Sequence, residues 1–220
     1  MVQKKQNNTN IVKLEAPRRM SRDPLRSKVR REEVFDAVAR VLAKRRQGNV
    51  TLDSVALELG GSTGTLYYYF KSKSDMLYQL HMYGFDVIEA LVNPILDDKT
   101  IPPRARLDKA LRTHIMCLCN RCELWRSLLI DPVLQNISPG HMRAITRRLN
   151  KYEMGISDLA AQVVAAEGYS IGPQIATRLI MGCITSIAGW YKRGGQLSPE
   201  DVAEQVTRNL FHGFFPLSKS

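Results

Sequence analysis

Apolar side chains recur three and four residues apart along most of the chain, which is the spacing of one face of an α-helix. The first such stripe begins near Lys28 and includes Val34 and Val38. A second, shorter stripe follows Thr51, a favourable N-cap residue, and ends at Gly60-Gly61. No segment shows the alternation of apolar residues between turn signals that marks a strand. The pattern predicts an all-α protein of about nine helices.

Proline and glycine divide the rest of the chain. A very short third helix is predicted over residues 63–70, and a longer fourth helix opens at Ser74-Asp75 and stops near Asn93-Pro94, because a residue before proline avoids the helical region. The later helices are predicted to begin at Pro103, Ser138-Pro139, Pro173 and Ser198-Pro199, with ends near Gly168 and Gly194-Gly195 and a break at Asp131-Pro132.

Three of these helices fall within residues 31–80, with a tight glycine turn between the second and the third. This is the layout of a helix-turn-helix, which reads DNA through its last helix. We therefore predict a basic arm over residues 1–27, a DNA-binding domain over residues 28–75 and a larger helical domain over residues 76–220.

The net charge of +11 is concentrated at the N-terminus. Residues 1–31 hold ten Lys/Arg against two acids, a sum of +8, whereas residues 32–75 sum to zero and residues 76–220 to +3. A basic arm favours a polyanion, because phosphates neutralised by Lys or Arg release their condensed counterions. A solubilising tail is the alternative interpretation of the same residues.

Other classes of function find no support in the sequence. No apolar run is long enough for a transmembrane helix and the start lacks a signal sequence, so we expect a cytoplasmic, nucleoid-associated bacterial protein. Phosphate-binding loops, nucleophile motifs and a His pair at metal-ligand spacing are missing. Cys119 and Cys122 form one C-x-x-C pair, but no second such pair and no cluster of His accompanies it, so we predict no enzyme, no cofactor and no metal. Cys117, Cys119 and Cys122 lie close together, and we interpret them as buried thiols.

The predicted third helix carries the chemistry of a recognition helix. Leu66 and Phe70 lie four residues apart and suit its buried side, which leaves threonines and tyrosines for the flanks and the outer face. Threonine can contact base edges, and tyrosine hydroxyls suit phosphates. The alternatives are that Tyr67, Tyr68 and Tyr69 are core aromatics, and that Lys71 and Lys73 belong to a solvated loop.

Residues 59–77, LGGSTGTLYYYFKSKSDML, resemble the DNA-binding domain of TetR-type regulators, whose signature runs roughly A-x-x-x-G-V-S-x-G-T-[LI]-Y-x-[YH]-F-x-[SN]-K-x-x-L. The resemblance is strong over about 50 residues. Gly61 departs from it, because the family usually places an aliphatic residue there; losing that packing would cost about 1–3 kcal/mol.

Together, the residue chemistry and the resemblance give the candidate DNA contacts. They are Thr51, Ser62, Thr63, Thr65, Tyr67, Tyr68, Tyr69, Lys71 and Lys73, with Arg18, Arg19, Arg22 and Arg26 of the arm.

The resemblance also implies a homodimer on a near-palindromic operator, formed through the last two helices, residues 171–193 and 198–213. It implies a repressor that a small-molecule effector releases from DNA. Residues 189–198 resemble a junction found in family members linked to fatty-acid or steroid catabolism, which indicates an acyl-CoA-like effector. The candidate pocket residues are Met82, Phe85, His114, Met116, Trp125, Met142, Tyr152 and Met154. The alternatives are a DNA-binding protein without an effector and, more remotely, an enzyme.

Overall fold

A computed structural model describes residues 24–44, 51–58, 63–130, 137–168 and 170–213. These residues form nine helices and no strand, which confirms the predicted all-α class. The helices are α1 (Pro24–Lys44), α2 (Leu52–Glu58), α3 (Thr63–Tyr69), α4 (Lys73–Asp97), α5 (Pro103–Asn120), α6 (Cys122–Leu129), α7 (Pro139–Glu167), α8 (Pro173–Trp190) and α9 (Pro199–His212).

The helix starts agree with the capping residues of the sequence. The Ser138 hydroxyl accepts a hydrogen bond from the His141 amide at the start of α7, and α7 ends at Gly168 in the left-handed conformation. Ser198 and Asp201 exchange hydrogen bonds as a capping box at the start of α9. Each contact satisfies a backbone group that the end of a helix leaves without a partner.

Three boundaries in α1 and α4 differ from the predictions. Helix α1 begins at Pro24 rather than near Lys28, since proline suits the first turn of a helix. Ser72, rather than Ser74, caps α4, because its hydroxyl accepts from the Asp75 amide. Helix α4 also continues past Pro94 to Asp97, where burial of Leu96 offsets the one backbone hydrogen bond that the proline removes.

The end of α8 and the junction between α5 and α6 also differ from the predictions. Helix α8 ends at Trp190, short of residue 193, because Tyr191 is extended with its side chain buried and its carbonyl held by Arg126 Nη2 at 2.8 Å. Arg121 separates α5 from α6 without any glycine or proline to signal the break.

Helix α4 connects the two parts of the molecule. It packs against α1, and its Gln79 donates to the Tyr69 carbonyl at the end of α3; we call α1, α2 and α3 the reading head. Helix α4 also packs against α5, α6 and α7 of the body, and α1 packs against α6. Helices α8 and α9 pack on α5 at the side of the body. None of the helices in the described ranges combines the length and the apolarity that crossing a bilayer requires.

Candidate nucleic-acid interface

The core of the reading head holds α3 by one side. Leu66 and Phe70 are fully buried, as their spacing predicts, against Val55 of α2 and Phe35 of α1. The Phe35 and Phe70 rings lie 5.9 Å apart, and Phe35 stacks on Tyr83 of α4 at 4.8 Å. This aromatic packing fixes the orientation of α3, so the face opposite Leu66 points away from the protein.

Tyr67 lies on a flank of α3, about 100° around the helix axis from Leu66, and 54% of its surface is exposed. Thr51 is also exposed and directly precedes α2, where its carbonyl accepts from the Val55 amide at 3.0 Å. Tyr69 is different, because it is half-buried and packs on the Phe70 ring at 6.3 Å. Tyr67 is therefore open to an outside partner, while Tyr69 packs against the core.

Several predicted contacts cannot be placed. Four of them lie outside the described residues: Arg18, Arg19, Arg22 and Ser62. Four others belong to described helices, but the structure does not describe their side chains: Arg26, Thr63, Thr65 and Tyr68.

A hydrogen-bonded turn brings two lysines to the N-terminus of α4. The Asp75 carboxylate accepts from the Lys71 amide at 2.8 Å and from Gln79 Nε2 at 3.0 Å, and Gln79 Nε2 also donates to the Tyr69 carbonyl. The turn thereby ties the end of α3 to the start of α4. Lys71 is exposed and Lys73 is half-buried, so the positive end of α4 and an exposed lysine side chain lie beside α3. Backbone amides and lysine at such a helix end attract phosphate.

A polar cluster ties the reading head to the body. Arg121, at the turn between α5 and α6, donates to Asp36 Oδ1 of α1 at 3.0 Å and to the Tyr83 hydroxyl of α4. The Tyr83 hydroxyl in turn donates to Asp36 at 3.2 Å. Burial, together with the nearby Asp36 carboxylate, raises the pKa of Tyr83 to about 12. Three elements therefore share one cluster, which sequence reasoning missed because Asp36 and Arg121 are 85 residues apart in the chain.

Helix α7 runs parallel to α4 and in register with it. Near their N-termini, the Ser138 amide donates to Ser74 Oγ at 2.9 Å, and His141 stacks on Tyr78 at 4.3 Å. Two turns farther along α7, Arg148 Nη2 binds the Glu89 carboxylate of α4 at 2.9 Å. The N-terminus of α7 consequently lies at the same end of the molecule as the reading head.

The eight predicted pocket residues differ in their burial and in the contacts that they make. His114 and Tyr152 are buried and hydrogen-bonded to each other, with 2.9 Å between Nδ1 and the hydroxyl oxygen. Trp125 is buried beside Gly84, and Met154 is 60% exposed. The other predicted residues, Met82, Phe85, Met116 and Met142, are half-buried and pack against the edge of the core.

An apolar cavity of about 300 Å³ lies elsewhere in the body, among α5, α7, α8 and α9. None of the eight predicted residues lines it. Its walls are almost entirely aliphatic or aromatic: Leu107, Ala160, Val163, Val164, Ile171, Ala176, Leu179, Ile180, Cys183, Asn209, Leu210, Phe211 and Gly213. Residues from four separate helices build this cavity, so no local spacing in the sequence could have signalled it.

The three neighbouring cysteines are buried, free thiols, as their sequence context predicts. Burial raises the pKa of Cys117 to about 11 and that of Cys119 to about 12. Such thiols stay protonated and unreactive at neutral pH, since the thiolate is the nucleophile.

Two family models match the chain. One, described as the C-terminal domain of tetracyclin repressor-like proteins, matches residues 100–214. The other, described as bacterial regulatory proteins of the tetR family, matches residues 34–80. The second match covers α2, α3 and the start of α4, and the first covers most of the body. No curated protein matches the chain.

Solved structures share the fold over nearly their full length. PfmR, a TetR family transcriptional regulator from Thermus thermophilus, gives a TM-score of 0.74 at 16% identity, covering 83% of this chain and 98% of that chain. KstR2, a ketosteroid transcriptional regulator of Mycobacterium tuberculosis, gives 0.73 at 23% identity, with 84% and 94% covered. AibR in complex with isovaleryl coenzyme A and operator DNA gives 0.71 at 22% identity, with 83% and 98% covered. At these identities the likeness shows the fold alone.

Proposed function

The chain belongs to the TetR family of DNA-binding transcriptional regulators, and we propose that it is a homodimeric repressor that an apolar effector releases from its operator. Members of this family are regulators and not enzymes. The observation that carries the proposal is the reading head, in which buried Leu66 and Phe70 turn Tyr67 outward beside Lys71 and the N-terminus of α4.

Tyr67 and Lys71 have distinct parts in DNA binding. The Tyr67 hydroxyl sits on the exposed face of a helix short enough to enter the major groove, where it reaches a phosphate or the groove edge. Lys71 and the first amides of α4 bind a neighbouring phosphate. The Asp75 hydrogen bonds hold both parts in one arrangement, so α3 and α4 dock on DNA as a unit.

Helix α8 presents a surface suited to a second copy of the chain. Ile175, Leu179, Gly182, Ser186 and Gly189 are all exposed and follow one another at intervals of four, three, four and three residues. This is the spacing of a helix-packing seam, and its small residues allow two backbones to approach closely. A dimer formed there places two reading heads on the two halves of a near-palindromic operator.

The apolar cavity supports an effector with a hydrocarbon part. Its volume of about 300 Å³ is at the lower end of the range for small-molecule sites, about 300–1,000 Å³. That volume suits a short or medium acyl chain, with any larger polar group left outside. AibR, which shares the fold, has been crystallised with isovaleryl coenzyme A and operator DNA, so this fold accommodates an acyl thioester.

Release from DNA follows if the effector favours one arrangement of the body over another. A ligand shifts such an equilibrium only by the difference in its affinity for the two states. The Asp36–Tyr83–Arg121 cluster and the shared α4 helix connect the body to the reading head. A change in body packing therefore alters the spacing of the two heads.

The experiment is a displacement titration by fluorescence anisotropy. Protein bound to a labelled operator, selected from random duplex DNA, is titrated with coenzyme A thioesters of increasing chain length and, in parallel, with free fatty acids and steroids. Ala176→Trp fills the cavity and should retain operator binding while losing release, whereas Ala165→Trp, at an exposed site on α7, should behave as the wild type. If no thioester, fatty acid or steroid releases the wild type, the effector part of the proposal is wrong and the effector-independent alternative holds.

A further inference from the structure

The charges of α7 are divided between its two halves. Residues 139–151 contain four basic side chains and no acidic one, whereas residues 152–167 contain three acidic side chains and no basic one. The helix macrodipole favours the opposite arrangement, with acids near the N-terminus and bases near the C-terminus. The distribution in α7 therefore weakens the isolated helix, and an external anion at its N-terminal half would offset that cost.

The basic half of α7 lies at the DNA-facing end of the molecule. Its N-terminus is fixed to the start of α4 by the Ser138–Ser74 hydrogen bond and the His141–Tyr78 stack. The start of α4 also carries exposed Lys71. Exposed Lys71 and the basic half of α7 thus lie at the same end of the molecule, because these contacts hold the two helices in register.

Three of the four basic side chains are available to an outside partner. Arg148 is engaged by Asp86 and Glu89 of α4. Arg143, Arg147 and Lys151 are exposed and make no ion pair within the described part of the chain. Arg143 Nη2 lies 4.0 Å from the position that a Cβ on Gly140 would occupy, so its guanidinium points back toward the N-terminus of α7 and the reading head.

We propose that the basic N-terminal half of α7 is a second DNA-backbone contact, in which Arg143 binds a phosphate flanking the one bound by the start of α4. This inference rests on the proposed function and adds to it a contact from the body. It reads no base, because arginine at phosphate adds affinity without sequence preference.

The helix geometry orders the contributions of the three side chains. Arg147 and Lys151 lie about 6 and 12 Å farther along α7 than Arg143, at about 1.5 Å per residue. The contribution to DNA affinity therefore falls in the order Arg143, Arg147, Lys151. A solvated basic face without a DNA contact would show no such order.

The test is the salt dependence of operator binding by the full-length protein, with Arg143→Gln, Arg147→Gln and Lys151→Gln measured side by side. Each phosphate contact contributes about 0.9 to the slope of log K against log salt, or about 1.8 for a homodimer. Arg143→Gln should lower the slope by that amount for operator and scrambled DNA alike, and Arg143→Lys should restore most of it. Lys109→Gln, at an exposed position of α5, is the matched control and should leave the slope unchanged.

Two results separate this inference from the proposed function. A wild-type protein that does not prefer its operator over scrambled DNA overturns the proposed function itself. A wild type that binds its operator selectively, with Arg143→Gln indistinguishable from Lys109→Gln, overturns only the α7 contact. Circular dichroism of each variant checks that the helices remain intact.

Discussion

Gly84 lies in α4 where this helix passes closest to α6, and it offers a substitution with two opposing effects. A Cβ at this position would lie 2.6 Å from Leu128 Cδ1 and 3.6 Å from the Trp125 ring. Overpacking of this kind costs about 1–3 kcal/mol. Replacing glycine by alanine within a helix returns about 1 kcal/mol. Gly84→Ala should therefore lower the free energy of unfolding by roughly 0–2 kcal/mol.

A double-mutant cycle with Leu128→Ala then removes the obstructing side chain. Leu128 is 5% exposed, so Leu128→Ala alone should cost about 2–5 kcal/mol. In the double variant the new methyl group enters the space that Leu128 leaves. The double variant should then lose less than the sum of the two single costs, with a favourable coupling of about 1 kcal/mol or more.

Urea unfolding followed by circular dichroism measures all four proteins. Protein concentration must be held constant, because dimerisation adds a concentration-dependent contribution to the free energy of unfolding. Costs that add to within about 0.5 kcal/mol would refute the close approach of α4 and α6 at Gly84. They would also remove the packing that we use to link α4 to the body.

Three further predictions concern the link between the two parts, the dimer and the buried histidine. Arg121→Ala should speed amide hydrogen exchange in α1 but not in α9, because it removes the partner of Asp36; equal effects in both helices would contradict the assigned link. Among the described residues, no atom lies within 4 Å of the position that a Cβ on Gly182 would occupy. Gly182→Arg should therefore fold but sediment as a monomer, whereas Ala165→Arg should stay dimeric; a dimeric Gly182→Arg protein would place the interface elsewhere. Burial lowers the pKa of His114 to about 3, so at mildly acidic pH the unfolded chain takes up a proton that the folded protein does not. The free energy of unfolding should therefore decrease as pH falls from about 6.5 toward 3, by up to about 1.4 kcal/mol per pH unit. His114→Gln should flatten this loss in urea titrations between pH 7 and pH 4, and an unchanged slope would show that His114 is not the group responsible.

Local signals were sufficient for most of the helices and for the buried side of α3, but not for the break between α5 and α6 at Arg121. The spacing of Leu66 and Phe70 predicts which side of α3 is buried, because that side depends only on helix periodicity. Ser138 and Ser198 mark helix starts through contacts three residues away. The predicted interface around Tyr67 and Lys71 follows from the same short range of sequence.

Local sequence signals could not predict the features that residues distant in the chain build together. The apolar cavity takes residues from four helices, and the predicted pocket of methionines and aromatics gave none of its walls. The Asp36–Tyr83–Arg121 cluster joins three elements whose proximity only the tertiary fold determines. The basic half of α7 is visible in the sequence, but its relation to the reading head depends on the parallel packing of α7 and α4.

The central claim is that α3 and the start of α4 bind a specific DNA sequence. The most direct measurement is to select binding sites from a random duplex library and then determine affinities by anisotropy for the wild type and for Tyr67→Ala, Lys71→Ala and Lys99→Ala. Lys99 is an exposed control beyond the opposite end of α4, about 40 Å from Lys71 at about 1.5 Å per residue. We expect an inverted repeat, at least a tenfold loss of affinity for Tyr67→Ala and Lys71→Ala, and no loss for Lys99→Ala. A selection whose sequences share no inverted repeat, together with equal affinities for all four proteins, would contradict the claim.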